Sequence, residues 1–205
     1  MDKLKAIFNI NKKMLVFLFG IMVIGIVFGS SLPIFLDAQD KSLVSNYLSD
    51  FVAQINNGIN SLFLLKNSLI NNMFFSFLIW VLGISIIGVP LVLFLFFFKC
   101  FIFGFSISSI IINYGFNGLL FSFAYIFPHQ VINIFVYGLL SNYSLIFSIK
   151  LTGLVFKKNN FNIKNAFNKY FKVFLFCIIL NVVSSIFESF VSPVFIGFIF
   201  KLLGM

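Results

Sequence analysis

GISIIGVPLVLFLFFFKCFIFGFS, residues Gly83 to Ser106, carries three glycines, one proline and one lysine in an otherwise apolar run. How it divides between helices decides the fold. A lysine beside apolar segments reads as the edge of a membrane span, its stem in lipid and its ammonium snorkelling to the interface. On that basis one span ends at Phe98, a tight cytoplasmic turn falls at Lys99, and the next span begins at Cys100. Pro90 lacks an amide donor and crowds the preceding turn, so a kink is expected between Gly88 and Pro90. Gly83, Gly88 and Gly104 allow close helix contacts.

The rest of the chain has the same character. Hydrophobic residues make up 61% of 205 positions and charged ones 9%, far from the usual soluble shares. A helix needs roughly 20 apolar residues to cross the hydrocarbon core, so the length supplies about five or six crossings and no separate soluble domain. The expected fold is all-α, a polytopic integral membrane bundle of about five transmembrane helices. Polar and helix-breaking residues place the spans at 14–36, 73–98, 100–127, 131–149 and 173–192. Residues 1–13 form a basic tail, 37–72 an amphipathic loop, 150–172 a basic loop and 193–205 an apolar tail.

Short cytoplasmic loops are enriched in lysine. A cytoplasmic N-terminus and an extracytoplasmic C-terminus leave every lysine except Lys41, Lys66 and Lys201 on the cytoplasmic side. The run from Met14 is too long for a typical signal-peptide core and lacks a small-residue cleavage site, so it reads as an uncleaved anchor. The segment 100–127 is long for one crossing and is expected to be broken or tilted near Gly115, because a re-entrant hairpin there would export the basic stretch from Lys157 to Lys172. Pro128 ends that span and Pro193 ends the last.

Gly25 and Gly29 form a G-x-x-x-G that lets another helix approach closely, and homodimerisation through it is left open. In the 37–72 loop, Val44, Leu48, Phe51, Ile55, Ile59 and Leu62 follow helical spacing. They suit either a helix lying on the membrane or bundle surface, or a docking site for a partner.

The net charge of +9 does not point to nucleic acid, because the lysines lie beside apolar segments and form no continuous basic face. Cys100 and Cys177 fall inside apolar stretches and read as packed thiols. Glu188 is the one acid within a span, and an intramembrane acid is a functional-site hypothesis with a partner to be named. His129 is expected at similar depth, so a Glu188 to His129 hydrogen bond is the first expectation. Asn133 and Asn181 complete a small polar set that serves either helix packing or function. Enzymatic chemistry finds no support: GFSIS is not a nucleophile elbow, and one histidine with one membrane acid falls short of an open metal site. GISIIGVP lacks the Lys-Ser/Thr ending of a phosphate loop. No catalytic residue, metal or cofactor is expected.

LIWVLGISIIGVPLVLFLFFFKCFIFGFS, NYGFNGLLFSFAYIFPHQ and the late FESFVSP together resemble the stage II sporulation protein M family. The resemblance covers nearly the whole chain in order. It implies a non-enzymatic scaffold of the engulfment machinery in the mother-cell membrane facing the forespore, organising the peptidoglycan-degrading sporulation stage II proteins D and P. Relatives in the wider superfamily often read Pro-His-Gly with a glutamate five residues after the proline. Asn133 stands at that position here, so an acid-dependent role does not carry over. The other expectation from the residues is a transporter or permease subunit with a polar site in the bundle, since broken helices and intramembrane polar groups build such sites.

Overall fold

The computed structural model describes residues 12–56, 60–85, 87–157 and 162–195, with the side chains of 51, 52, 55, 56, 155, 156 and 157 outside that description. The candidate Ile59 therefore lies outside the described residues, as do the side chains of Phe51 and Ile55. Every regular element among the described residues is helical: α1 Lys12–Phe35, α2 Ala38–Asn56, α3 Ser61–Gly83, α4 Gly88–Lys157 and α5 Ile163–Ile186, the last continued by a π-helical turn Phe187–Val191. The chain is an all-α polytopic membrane protein. Four of its helices are long and apolar enough to cross a membrane, and one of these is folded double.

The doubled helix is α4. Gly115 sits at φ 59°, ψ −133°, a region open to glycine and closed to other L-residues. Across this point Ile110 faces Gly118, Lys99 faces Tyr137 and Phe96 faces Gly138. One number rises as the other falls, so the limbs 88–114 and 116–157 run antiparallel. They are roughly 40 and 63 Å long at 1.5 Å per residue. The break near Gly115 was expected; its reversal of the chain was not.

Several span boundaries differ from those expected. The turn assigned to Lys99 lies at residues 84–87, closed by Ile84 N to Val81 O (3.1 Å), Ser85 N to Leu82 O (3.0 Å) and Gly88 N to Ser85 O (3.1 Å). A Cβ on Gly88 would overlap the Leu82 carbonyl, so the tight re-entry into α4 demands glycine. Pro90 then sits in the first turn of a new helix, where its missing donor costs nothing; it starts a helix and does not kink one. Lys99 lies mid-limb. Pro128 is inside the second limb and ends nothing.

α3 begins at Ser61, well before the expected position 73. Asn60 caps it, its Oδ1 accepting from Leu62 N at 3.1 Å and Phe63 N at 3.4 Å, which satisfies two of the helix's orphan donors. The polar residues Ser68 and Asn72, which make this stretch look like loop, are buried against other helices. α5 likewise begins at Ile163, where Asn162 Oδ1 accepts from Asn165 N, so helix occupies most of the expected 150–172 loop. Beyond the π-turn, residues 192–195 are helical, and Pro193 does not end the element. The widened turn precedes a proline that cannot donate to the Ser189 carbonyl.

Cross-helix pairings give the packing. α1 runs parallel to the first limb of α4, with Gly25 on Phe97 and Cys100, Gly29 on Phe101, and Ile26 on Gly104. Ser108 Oγ donates to Ser30 O at 2.7 Å on the same seam. The G-x-x-x-G face is thus used within the chain. α3 runs antiparallel to α5 and parallel to the second limb of α4. One end of the bundle gathers Lys12, the 84–87 turn and the α4–α5 connection; the other gathers α2, Gly115 and Phe195. An apolar core centred on Ile79, Val92, Phe96, Val136 and Leu140 fills the middle. A smaller one, with Phe103, Ile110, Phe121 and Tyr125, lies beneath Leu48 of α2. Cys100 and Cys177 are buried free thiols.

Candidate functional site: a polar seam inside the bundle

Residues four apart on a helix share a face. α3 presents Ser68, Asn72 and Ser76 on one stripe; the second limb of α4 presents His129, Asn133 and Tyr137; α5 and its π-turn present Asn181, Ser184, Ser185 and Glu188. All of these except Glu188 are buried, and the three stripes face one another. Such groups must be satisfied internally in lipid, because no water competes for them.

Glu188 anchors the seam. Its Oε2 accepts from Ser68 Oγ at 2.5 Å, and Ser68 Oγ also donates toward Ser185 Oγ at 3.0 Å, the two contacts competing for one proton. Asn72 Nδ2 donates to Ser185 Oγ at 3.1 Å, and Tyr137 OH donates to Asn72 Oδ1 at 2.9 Å. One step along, Asn181 Nδ2 donates to Ser76 Oγ at 2.7 Å and to Asn72 O at 3.3 Å. Further toward the 84–87 end, Ser144 Oγ and Tyr170 OH lie 2.6 Å apart, and Tyr170 OH donates to Trp80 O at 2.9 Å. The π-turn carries Glu188 in its first residues, and single π-turns are frequent at functional sites.

His129 and Glu188 do meet, with Nε2 4.0 Å from Oε1. That separation is ion-pair reach and too long for a hydrogen bond, so the expected hydrogen bond is replaced by the one from Ser68. His129 packs edge-on against the Tyr125 ring, centroids 5.6 Å apart. Asn181 lies on the same seam one turn deeper. Asn133 is buried, and its Oδ1 has no partner among the described residues.

Lys99 is the residue that sequence reasoning misplaced. Its ammonium stands 4.3 Å from the centroid of Phe75 and 5.4 Å from that of Tyr137, and Glu188 is the acid whose field reaches it. A lysine at the centre of a membrane helix costs about 2.5–3.5 kcal/mol on insertion scales. Each aromatic face returns about 0.5–2 kcal/mol, so two rings and a distant carboxylate suffice to hold it. The available signal was GISIIG followed by Pro90: a glycine-bounded turn with proline in the first helical turn centres the next span near Lys99.

At the Gly115 end a cavity of about 470 Å³ opens between α2 and the α4 hairpin, with Glu188, His129 and Ser109 on its polar wall. Val44 and Leu48, read as facing either the membrane or bundle surface or a partner, seat α2 on this hairpin. Leu62 is exposed in the first turn of α3. Gly83 lies against Ser144 and the Tyr170 hydroxyl, leaving no room for a Cβ. Among the described residues no three His, Cys, Asp or Glu side chains converge as a metal site would require.

No curated protein and no solved structure matches the chain. The family model described as stage II sporulation protein M matches residues 8–193, a range that takes in α1, the α4 hairpin and the Glu188 turn. The chain belongs to the stage II sporulation protein M family.

Proposed function

We propose that this sporulation-family membrane protein is a non-enzymatic scaffold that anchors and organises peptidoglycan-degrading partners at the mother-cell membrane facing the forespore. The observation that carries this is α2. It touches the bundle through Val44 and Leu48 and is otherwise exposed along its described length, with Leu43 at 65% and Tyr47 at 73% exposure. A helix held at two points and displayed elsewhere is a platform. The described lysines at the 84–87 end, among them Lys12, Lys13, Lys164 and Lys172, support a cytoplasmic assignment of that end by the positive-inside rule. Five traverses follow: α1, α3, the two limbs of α4, and α5. α2 and the Gly115 turn are then extracytoplasmic, where wall-degrading enzymes work.

The test is co-purification of peptidoglycan hydrolases, including the family-implied stage II proteins D and P, from sporulating cells. Leu43→Asp with Tyr47→Asp is expected to abolish it while membrane insertion is unchanged. Full retention of the hydrolases by that variant contradicts the assignment to α2.

A second function, a transporter or permease subunit, is favoured by one observation, the polar seam that links Glu188 through Asn72 toward Tyr170. Solute-dependent flux in proteoliposomes that Glu188→Gln abolishes would support it. Asn72 interrupts the seam as a proton wire, since a carboxamide does not relay protons, and the scaffold is therefore preferred.

A further inference from the structure

The cavity beneath α2 combines three features that structural packing does not require. Glu188 lines it and is 24% exposed. A carboxylate has about four acceptor positions, of which one is filled by Ser68; the His129 imidazole at 4.0 Å is the one basic side chain within ion-pair distance among the described residues. Lys99 acts on Glu188 from beyond that distance. Ser109 is 3% exposed, faces the same cavity, and its hydroxyl has no hydrogen-bond partner. Leaving such a group unpaired costs about 1–3 kcal/mol, so an occupant that bonds it is favoured. Finally, Tyr47, Phe105 and Tyr125 contribute aromatic rings to the wall. A carboxylate beside aromatic faces is the chemistry that holds an ammonium group, by charge pairing and by cation–π attraction.

We propose that this cavity is a binding site for the primary ammonium headgroup of an outer-leaflet phospholipid, with Glu188 as counter-ion and Ser109 as a further acceptor. The ammonium donates to the free acceptor positions of Glu188 and to Ser109 Oγ, and the hydroxyl proton of Ser109 is left to a headgroup oxygen. A lipid is favoured over a protein side chain because, apart from Ser106, His129 and Gln130, the remaining wall is apolar, with Leu43, Val44 and Leu48 on one side and Ile110 and Ile126 on the other. Phe127 and Val131, next in sequence to the lining residues Ile126 and Gln130, are exposed apolar side chains. The site shares Leu43 and Tyr47 with the surface assigned to partners, and its test reads lipid binding by the purified chain, so either reading can fail without the other.

The experiment uses the full chain purified in a non-ionic detergent, with thermal unfolding followed as phosphatidylethanolamine, phosphatidylglycerol or phosphatidylcholine of identical acyl chains is added. Phosphatidylethanolamine at ten times its Kd is expected to raise Tm by about 3–6 °C. Phosphatidylglycerol lacks the charge, and phosphatidylcholine lacks the N–H donors, so neither matches it. Glu188→Gln removes the response. Because Glu188 also holds Ser68, a second variant fills the cavity without touching that bond: Val44→Trp is expected to remove the response as well. Equal shifts with all three lipids, or an ethanolamine response that survives in both variants, overturns the proposal. Stabilisation by a lysine-rich peptide that phosphatidylethanolamine fails to displace reassigns the cavity to a protein side chain and equally overturns it.

Discussion

Lys99 and Glu188 are charges that the bundle partly buries, and neither is at ion-pair distance from the other. A chain of contacts through Tyr137, Asn72, Ser185 and Ser68 joins them. Removing one charge leaves the other without its compensating field, which is the costly outcome for buried ionic groups. Lys99→Met and Glu188→Gln are each expected to lower stability, and the double variant to lose less than the sum, with a coupling of about 0.5–3 kcal/mol in detergent unfolding. Strict additivity would show the two residues to be independent. Gly83 offers a sharper steric test. Gly83→Ala drives a methyl into the Tyr170 hydroxyl and Ser144 and is expected to cost about 1–3 kcal/mol. Tyr170→Phe removes that oxygen, so it should restore part of the loss, and a Tm unchanged by the second substitution would count against the packing described. At this scale Glu188 was legible from the sequence, because an acid in a span stands out against its neighbours. Lys99 was not, since a lysine between apolar runs looks the same whether it borders two spans or sits inside one.

At the scale of elements, glycine and proline did the punctuation, and their roles were partly interchanged on reading. Pro128 and Pro193 read as stops and lie inside helices, while Gly115 and the Gly83–Gly88 pair make the reversals. Lipid explains this. A proline inside a membrane helix is tolerated when packed neighbours re-satisfy the freed carbonyl, whereas the reversal at Gly115 needs backbone angles only glycine adopts freely and the one at Gly83–Gly88 leaves no room for a Cβ. Gly115→Ala is therefore expected to destabilise the hairpin by about 1–3 kcal/mol, although open space surrounds the position. Gly153→Ala, also in open space but in regular helix, should be neutral or stabilising by up to about 1 kcal/mol. Thermal unfolding of the two variants side by side separates conformation from packing; equal effects would remove the special status of Gly115. The start of α3 was hidden for a related reason. Ser68 and Asn72 look like loop residues, yet they bond across helices to Ser185, Glu188 and Tyr137.

For the whole molecule, two displaced boundaries compensate. Moving the turn from Lys99 back to residues 84–87, and the next from Pro128 back to Gly115, shifts both ends of a traverse by similar amounts. The lysine asymmetry is kept among the described residues, because Lys12 and Lys13 at the start of α1 and Lys164 at the start of α5 share one end of the bundle. The seam between α1 and the first α4 limb is built from small residues and close backbone approach, and the seam among α3, the second α4 limb and α5 is built from hydrogen bonds. Membrane helices associate by these two means, small-residue packing and polar contacts, and here each has its own interface. The Glu188 cavity lies where the polar seam reaches the Gly115 end beneath α2, so the composition of the seam and the placement of the site are one feature of the fold. The most direct test of this arrangement is thiol labelling of single cysteines, in a Cys100→Ala, Cys177→Ala background, from each side of the membrane. Ile87→Cys is expected to react from the cytoplasmic side and Phe116→Cys from the outer side, with Lys99→Cys and Pro128→Cys protected from both. Reaction of Lys99→Cys from inside and Pro128→Cys from outside, with Phe116→Cys protected, would contradict the hairpin at Gly115 and restore the turns to Lys99 and Pro128.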